Sequence, residues 1–171
     1  SGRRSGTSSA PYSRETTVDL HDDQLLPPVG YTASGLACGI YPDGRKDIAL
    51  IASDRPASAA GMFTTNRVQA APVHLNREHL IDGKAQAILI NSGNANACTG
   101  EKGMANARHE AALITDRLSL TPEDVLVNST GVIGVQLPMD KVETGIAGVL
   151  DTLGSGWDDT AAAIMTTDTV P

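Results

Sequence analysis

Two short segments gather hydroxyls and small residues directly after apolar runs: Ser129-Thr130-Gly131-Val132-Ile133-Gly134 and Ile164-Met165-Thr166-Thr167-Asp168-Thr169. The first follows Val125-Leu126-Val127, which reads as a buried strand, so backbone amides and a hydroxyl leave a rigid edge. Preorganised N–H and O–H donors aimed at one point stabilise developing negative charge. The second runs out of Ala161-Ala162-Ala163 into three threonines and an aspartate, and reads as part of a site whose remainder lies elsewhere. Each segment also has a plainer reading. Thr130 and Gly131 can make a strand-to-loop turn, with the hydroxyl satisfying a backbone group, and Thr166 can bond back to a helix-terminal carbonyl.

Other candidate chemistry is thinner. Asn91-Ser92-Gly93-Asn94-Ala95-Asn96-Ala97-Cys98-Thr99-Gly100 opens a helix and could hold an anion at its N-terminus. It matches neither the phosphate-loop nor the dinucleotide pattern, and its Asn and Gly content favours a tight connection over a pocket. His109-Glu110 begins like a zinc-protease helix but lacks the second His on the same face, so it reads as ordinary helix surface with no metal. His74 and His79 fall across an expected strand–helix join and are poorly placed as joint ligands. Cys38 and Cys98 are far apart in sequence and read as two buried, reduced thiols.

The 171 residues, 40% of them apolar but with only one Phe, one Trp and three Tyr, suit one domain with a real core. Such a core is built from Val, Ile, Leu and Ala, which favours close packing of helices on a sheet. A net charge of −7 with no basic run beyond Arg3-Arg4 argues against nucleic acid or anionic membranes as partners. No apolar run reaches membrane-spanning length, and no signal-peptide pattern opens the chain. Residues 1–27, rich in Ser, Gly and Arg at their start, read as a disordered extension or a remnant of expression, and residues 28–171 as the domain.

The elements that would position the two hydroxyl segments follow from pattern. Tyr31–Ile40 and Lys46–Ala52 flank the turn signal Pro42-Asp43-Gly44 and predict a hairpin, which Arg55-Pro56 should break. Ala60–Thr65 and Ala71–Leu75 predict further strands, and Asn76 a cap for a short helix through Ile81. Ala85–Ile90 predicts a strand covered on both faces. Met104, Ala107, Ala111, Ile114 and Leu118 mark one helical stripe, and Val142, Ile146, Val149 and Leu153 another after Pro138. Asp158 is expected to cap a final helix to Met165. The class is α/β, or α+β in layers, with helices packed on a mixed sheet.

Taken in order, Asp47–Ile51, Ala59–Val68 with Ala71-Pro72-Val73, Asn91–Gly100, Ser129–Gly134, Leu137–Lys141 and Ala163–Thr169 resemble the front subunit of the ornithine acetyltransferase (glutamate N-acetyltransferase) family. The resemblance implies an architecture of the N-terminal-nucleophile type, completed by a companion β chain cut from the same precursor. The nucleophile would be that chain's N-terminal threonine, outside this sequence, with its own α-amine as base. Acetyl would pass from N-acetylornithine to the threonine and then to glutamate, in arginine biosynthesis in the cytoplasm. By the same resemblance Thr130 and Gly131 form the oxyanion hole and Thr166 contacts substrate. No cofactor is implied, acetyl-CoA is an alternative donor in some members, and the assembly is a heterotetramer or larger. The rival readings are an amidohydrolase or aminopeptidase of related architecture and a noncatalytic amino-acid-binding subunit.

Overall fold

A computed structural model describes residues 27–168; the expected extension before Pro27, and Thr169, lie outside the described residues. Strands β1 (Tyr31–Leu36) and β2 (Ile48–Ser58) pair antiparallel, with Ala33 opposite Ile51 and Gly35 opposite Ala49. Asp47 organises the connection between them. Its fully buried carboxylate accepts from the amides of Cys38 at 2.6 Å, Gly39 at 3.1 Å and Tyr41 at 3.0 Å. Three charge-assisted bonds to one acceptor make burial of the charge tolerable.

Strand β3 (Lys84–Asn91) pairs antiparallel with β2 and parallel with β4 (Val125–Ser129), so the sheet runs β1-β2-β3-β4. The parallel pair needs a crossover, and the 19-residue α2 (Gly100–Leu118) supplies it. Helices α1 (Ala71–His79), α2 and α3 (Met139–Asp151) cover one face, where Leu75, Ile114, Val142, Ile146 and Val149 meet Ile48, Leu50, Leu89, Val125 and Val127. Helix α4 (Trp157–Ile164) lies on the other face. Gly35 permits this, because a Cβ there would strike the α4 backbone at Asp159 and Thr160. The expected class, helices on a mixed sheet, is the one observed.

Several local expectations fail for identifiable reasons. Ala71–Leu75 is helical, not extended, because Pro72 occupies the first turn, where its fixed φ favours a helix start. Asn76 therefore lies inside α1 and caps nothing; its buried amide instead brackets β4, donating to the Val127 carbonyl and accepting from the Val127 amide, both at 2.9 Å. Arg55-Pro56 does not end β2, which absorbs them as a register shift between Ala52 and Ala57. Ala60–Thr65 forms no strand: the ladder with β3 stops at Ser58–Lys84, leaving no strand for it to pair with. Asp158 sits in the first turn of α4, and Gly156 holds the cap position.

Candidate active site

The parallel strands β3 and β4 end side by side, Asn91 in register with Ser129. Their C-terminal ends are where open α/β sheets place ligands. From there the two outgoing loops pair with each other. The amides of Thr130 and Val132 donate to the carbonyls of Asn91 at 3.0 Å and Gly93 at 3.3 Å, and Ala95 donates back to Val132 at 2.9 Å. Gly134 adds a bond to Ala97 at 2.9 Å.

Asparagines hold this pairing from within. Asn91 donates its amide to the Asn94 carbonyl at 2.9 Å, and Asn94 reaches the Val135 carbonyl at 3.0 Å. Asn96 takes an amide bond to the Asn94 side chain at 2.8 Å and donates to the Gly103 carbonyl in α2 at 2.9 Å. The Thr99 hydroxyl turns to Asn96 at 2.8 Å instead of capping α2, and Gln136 donates to the Thr99 carbonyl at 2.9 Å. The tight connection expected for Asn91–Gly100 is present, and it serves as the foundation of the neighbouring loop. Asn96 adopts φ 45°, a left-handed conformation that Asn tolerates better than most residues.

Gly131 packs directly on this foundation. Its φ is +133°, and a Cβ would lie 2.6 Å from the Asn94 nitrogen and within contact of Gly93. Thr130, beside it, is exposed, and its hydroxyl makes no hydrogen bond among the described residues. The plainer role, a threonine satisfying a backbone group, is thus not the one it plays here.

The third segment arrives from the opposite face of the sheet. Side chains alternate along an extended chain, so Asn91 points toward the α1–α3 layer and Ser92 toward α4. Ser92 donates its hydroxyl to the Ala163 carbonyl at 2.7 Å, tying the end of α4 to the same loop. Met165 then leaves the helix with extended geometry, and the Thr166 amide donates to Asp168 at 3.2 Å. Thr166 is half-buried, and its hydroxyl bonds back to no helix carbonyl among the described residues. All three hydroxyl- and asparagine-rich segments therefore meet around Asn91–Asn94. Val132, Ile133, Val135 and Ile164 stand exposed beside them.

Other candidates change status. Glu110 is not helix surface: it is fully buried, and burial pushes its carboxyl up to about 8. His74 and His79 share α1; His79 is buried with Nδ1 at 2.7 Å from the Val125 carbonyl. Cys98 is exposed, contrary to the expectation of two buried thiols, because it stands at φ 57° on the outer turn of the loop. Cys38 is half-buried, and burial, reinforced by its contact with Asp47, pushes its thiol up to about 12, far from a nucleophilic thiolate. Among the described residues no three His, Cys, Asp or Glu side chains could hold a metal ion, and no helix is long and apolar enough to cross a membrane.

Comparison with known proteins agrees with this architecture. The family model described as "ArgJ family" matches residues 32–171. The arginine biosynthesis bifunctional protein ArgJ of Geobacter sulfurreducens is 50% identical over 143 residues, 83% of this chain and 36% of its own length. Its counterpart from Caldanaerobacter subterraneus subsp. tengcongensis is 53% identical over 153 residues, 89% of this chain and 38% of its own. This chain thus spans a little over a third of the curated relatives it matches. Among solved structures, the ornithine acetyltransferase of Mycobacterium tuberculosis, complexed with ornithine, superposes with a TM-score of 0.80 at 42% identity, covering 84% of this chain and 79% of that one. ArgJ of Bacillus halodurans gives 0.76 at 39% identity, covering 83% and 75%.

Proposed function

This chain belongs to the ArgJ family, and from that membership we propose that residues 28–171 are the front chain of an enzyme moving acetyl from N-acetylornithine to glutamate. A companion chain from the same precursor supplies an N-terminal threonine as nucleophile. Its hydroxyl attacks the acetyl carbonyl and passes its proton to the threonine's own α-amine, which returns it to the departing amine of ornithine. Glutamate's amine then takes the acetyl group by the reverse sequence.

One observation carries this reading. Gly131 packs so closely on the Gly93–Asn94 backbone that a Cβ would clash, and the Thr130 hydroxyl beside it is exposed and makes no hydrogen bond among the described residues. Donors that need no rearrangement are what an oxyanion hole demands. The bond from Ser92 to the end of α4 brings the Thr166 segment to the same loop from the opposite face, which supports Thr166 as a substrate contact. The exposed apolar residues Val132, Ile133, Val135 and Ile164 support a site covered by the companion chain. The acetyl group needs no cofactor on this route, although acetyl-CoA could serve as the first donor. A cytoplasmic heterotetramer or larger assembly completes the proposal.

Steady-state kinetics on the processed two-chain protein test it. Double-reciprocal plots at several glutamate concentrations should be parallel, as a ping-pong route requires. Acetate release that is independent of glutamate would favour the amidohydrolase instead.

A further inference from the structure

Behind the Thr130–Gly131 loop runs a buried polar path that the acyl-transfer chemistry does not itself use. Gly103, Asn106 and Glu110 follow one another at three- and four-residue spacing, so they share one stripe of α2. All three are buried. Asn106 Nδ2 and both Glu110 carboxyl oxygens find no hydrogen-bond partner among the described residues. At the other end of the path, Asn91 Oδ1 and Ser129 Oγ are likewise buried and unpartnered among the described residues. Between these ends stand the bonds Asn91–Asn94, Asn94–Asn96 and Asn96–Gly103. Apart from Trp157 Nε1, every buried side-chain polar atom without a partner among the described residues lies on this path.

The charged groups on the neighbouring helices do not reach Glu110. Arg108 pairs with Glu78 of α1, while His109 and Arg117 pair with Glu143 and Asp151 of α3, all at the exposed rim. Burial holds the Glu110 carboxyl near 8, so at neutral pH it is an acid that can both donate and accept. Buried polar groups with no protein partner are generally satisfied by internal water. The mixture here, acceptor on Asn91, hydroxyl on Ser129, donor on Asn106 and acid on Glu110, can hold such water from both ends.

We infer that Asn106 and Glu110 are positioning residues for the Thr130–Gly131 loop, binding water inside the fold and acting through the Asn96–Gly103 contact and the asparagine bonds beyond it. The inference rests on the acyl-transfer reading for its kinetic consequence, but not for its structural one. Glu110 touches no reacting atom; it fixes the height of the N-terminal half of α2 against the loop that Gly131 packs on.

The test uses the fully processed two-chain protein in wild-type, Glu110→Leu, Glu110→Gln and Asn106→Leu forms. A high-resolution crystal structure of the wild type should show ordered water bonded to Glu110 and Asn106. Glu110→Leu should keep or raise the melting temperature, since an apolar side chain of similar volume is often tolerated in place of a buried ionisable group. It should nevertheless lower kcat about tenfold at nearly unchanged KM, roughly 1.4 kcal/mol of transition-state stabilisation. Glu110→Gln should recover most of that loss, and Asn106→Leu should repeat it. A dry contact at Glu110, or wild-type kcat in the leucine variants, would overturn the inference. Should the wild type itself transfer no acetyl group, the functional reading fails. The crystal structures would then decide the inference separately: water bonded to Glu110 in the wild type and a displaced 129–136 loop in Glu110→Leu support it, and an undisplaced loop overturns it.

Discussion

In the proposed mechanism the chemistry turns on Thr130, whose exposed hydroxyl makes no hydrogen bond among the described residues. Thr130→Ala should lower kcat by about 10²-fold with little change in KM, and Thr130→Ser should recover much of it. Equal turnover of the two variants in cleaved protein of matched stability would make Thr130 a turn residue. Glu110 makes a different demand. Its folded carboxyl titrates near 8 against an ordinary 4.5, so the unfolded chain ionises first as pH rises. The stability of the buried neutral acid is complete below the lower value and is lost progressively up to the higher one. Melting temperature should therefore fall between about pH 5 and 8 in wild type and fall less in Glu110→Gln; parallel profiles would remove the buried acid from the account. Sequence alone made Glu110 a surface residue, because a stripe of Ala and Ile defines a helix face without saying how wide the burial is. Thr130 and Gly131 were legible as candidate oxyanion donors from their place after a strand and from the family resemblance, but not in how they pack. Their contact with Gly93 is a property of the fold.

At the scale of elements, the second half of the chain was readable and the first half much less so. The β3 strand, the α2 stripe and the α3 stripe announce themselves through periodicity and turn residues, and each appears close to its expected bounds. Pro72 misleads in the other direction: its segment predicts a strand, whereas it opens α1. Asp47 gave no signal beyond its place at the head of a strand, since its partners are backbone amides and carry no sequence signature. Its removal should be costly. Asp47→Ala leaves three amides without their acceptor, each unsatisfied buried donor costing about 1–3 kcal/mol. Chemical denaturation should show a loss of roughly 3 kcal/mol or more; a change within about 0.5 kcal/mol would mean that water replaces the carboxylate without penalty.

At the scale of the whole molecule, the candidate site lies at the C-terminal ends of β3 and β4. Val132, Ile133, Val135 and Ile164 are 58%, 64%, 54% and 42% exposed around the Asn91–Asn94 loop, apolar surface that the proposed companion chain would cover. Residues 1–171 produced alone should bind a hydrophobic dye and transfer no acetyl group, and adding the companion chain should suppress the dye signal; full transfer by the lone chain would remove the two-chain account. The central claim is that this chain stabilises acylation of a threonine it does not itself carry. Intact mass of the companion chain, recorded after mixing the processed protein with N-acetylornithine in the absence of glutamate, tests that claim most directly. The account predicts a gain of one acetyl group on the companion chain, lost on addition of glutamate and formed far more slowly in Thr130→Ala. An unmodified companion chain, with N-acetylornithine nonetheless converted or merely bound, would contradict it.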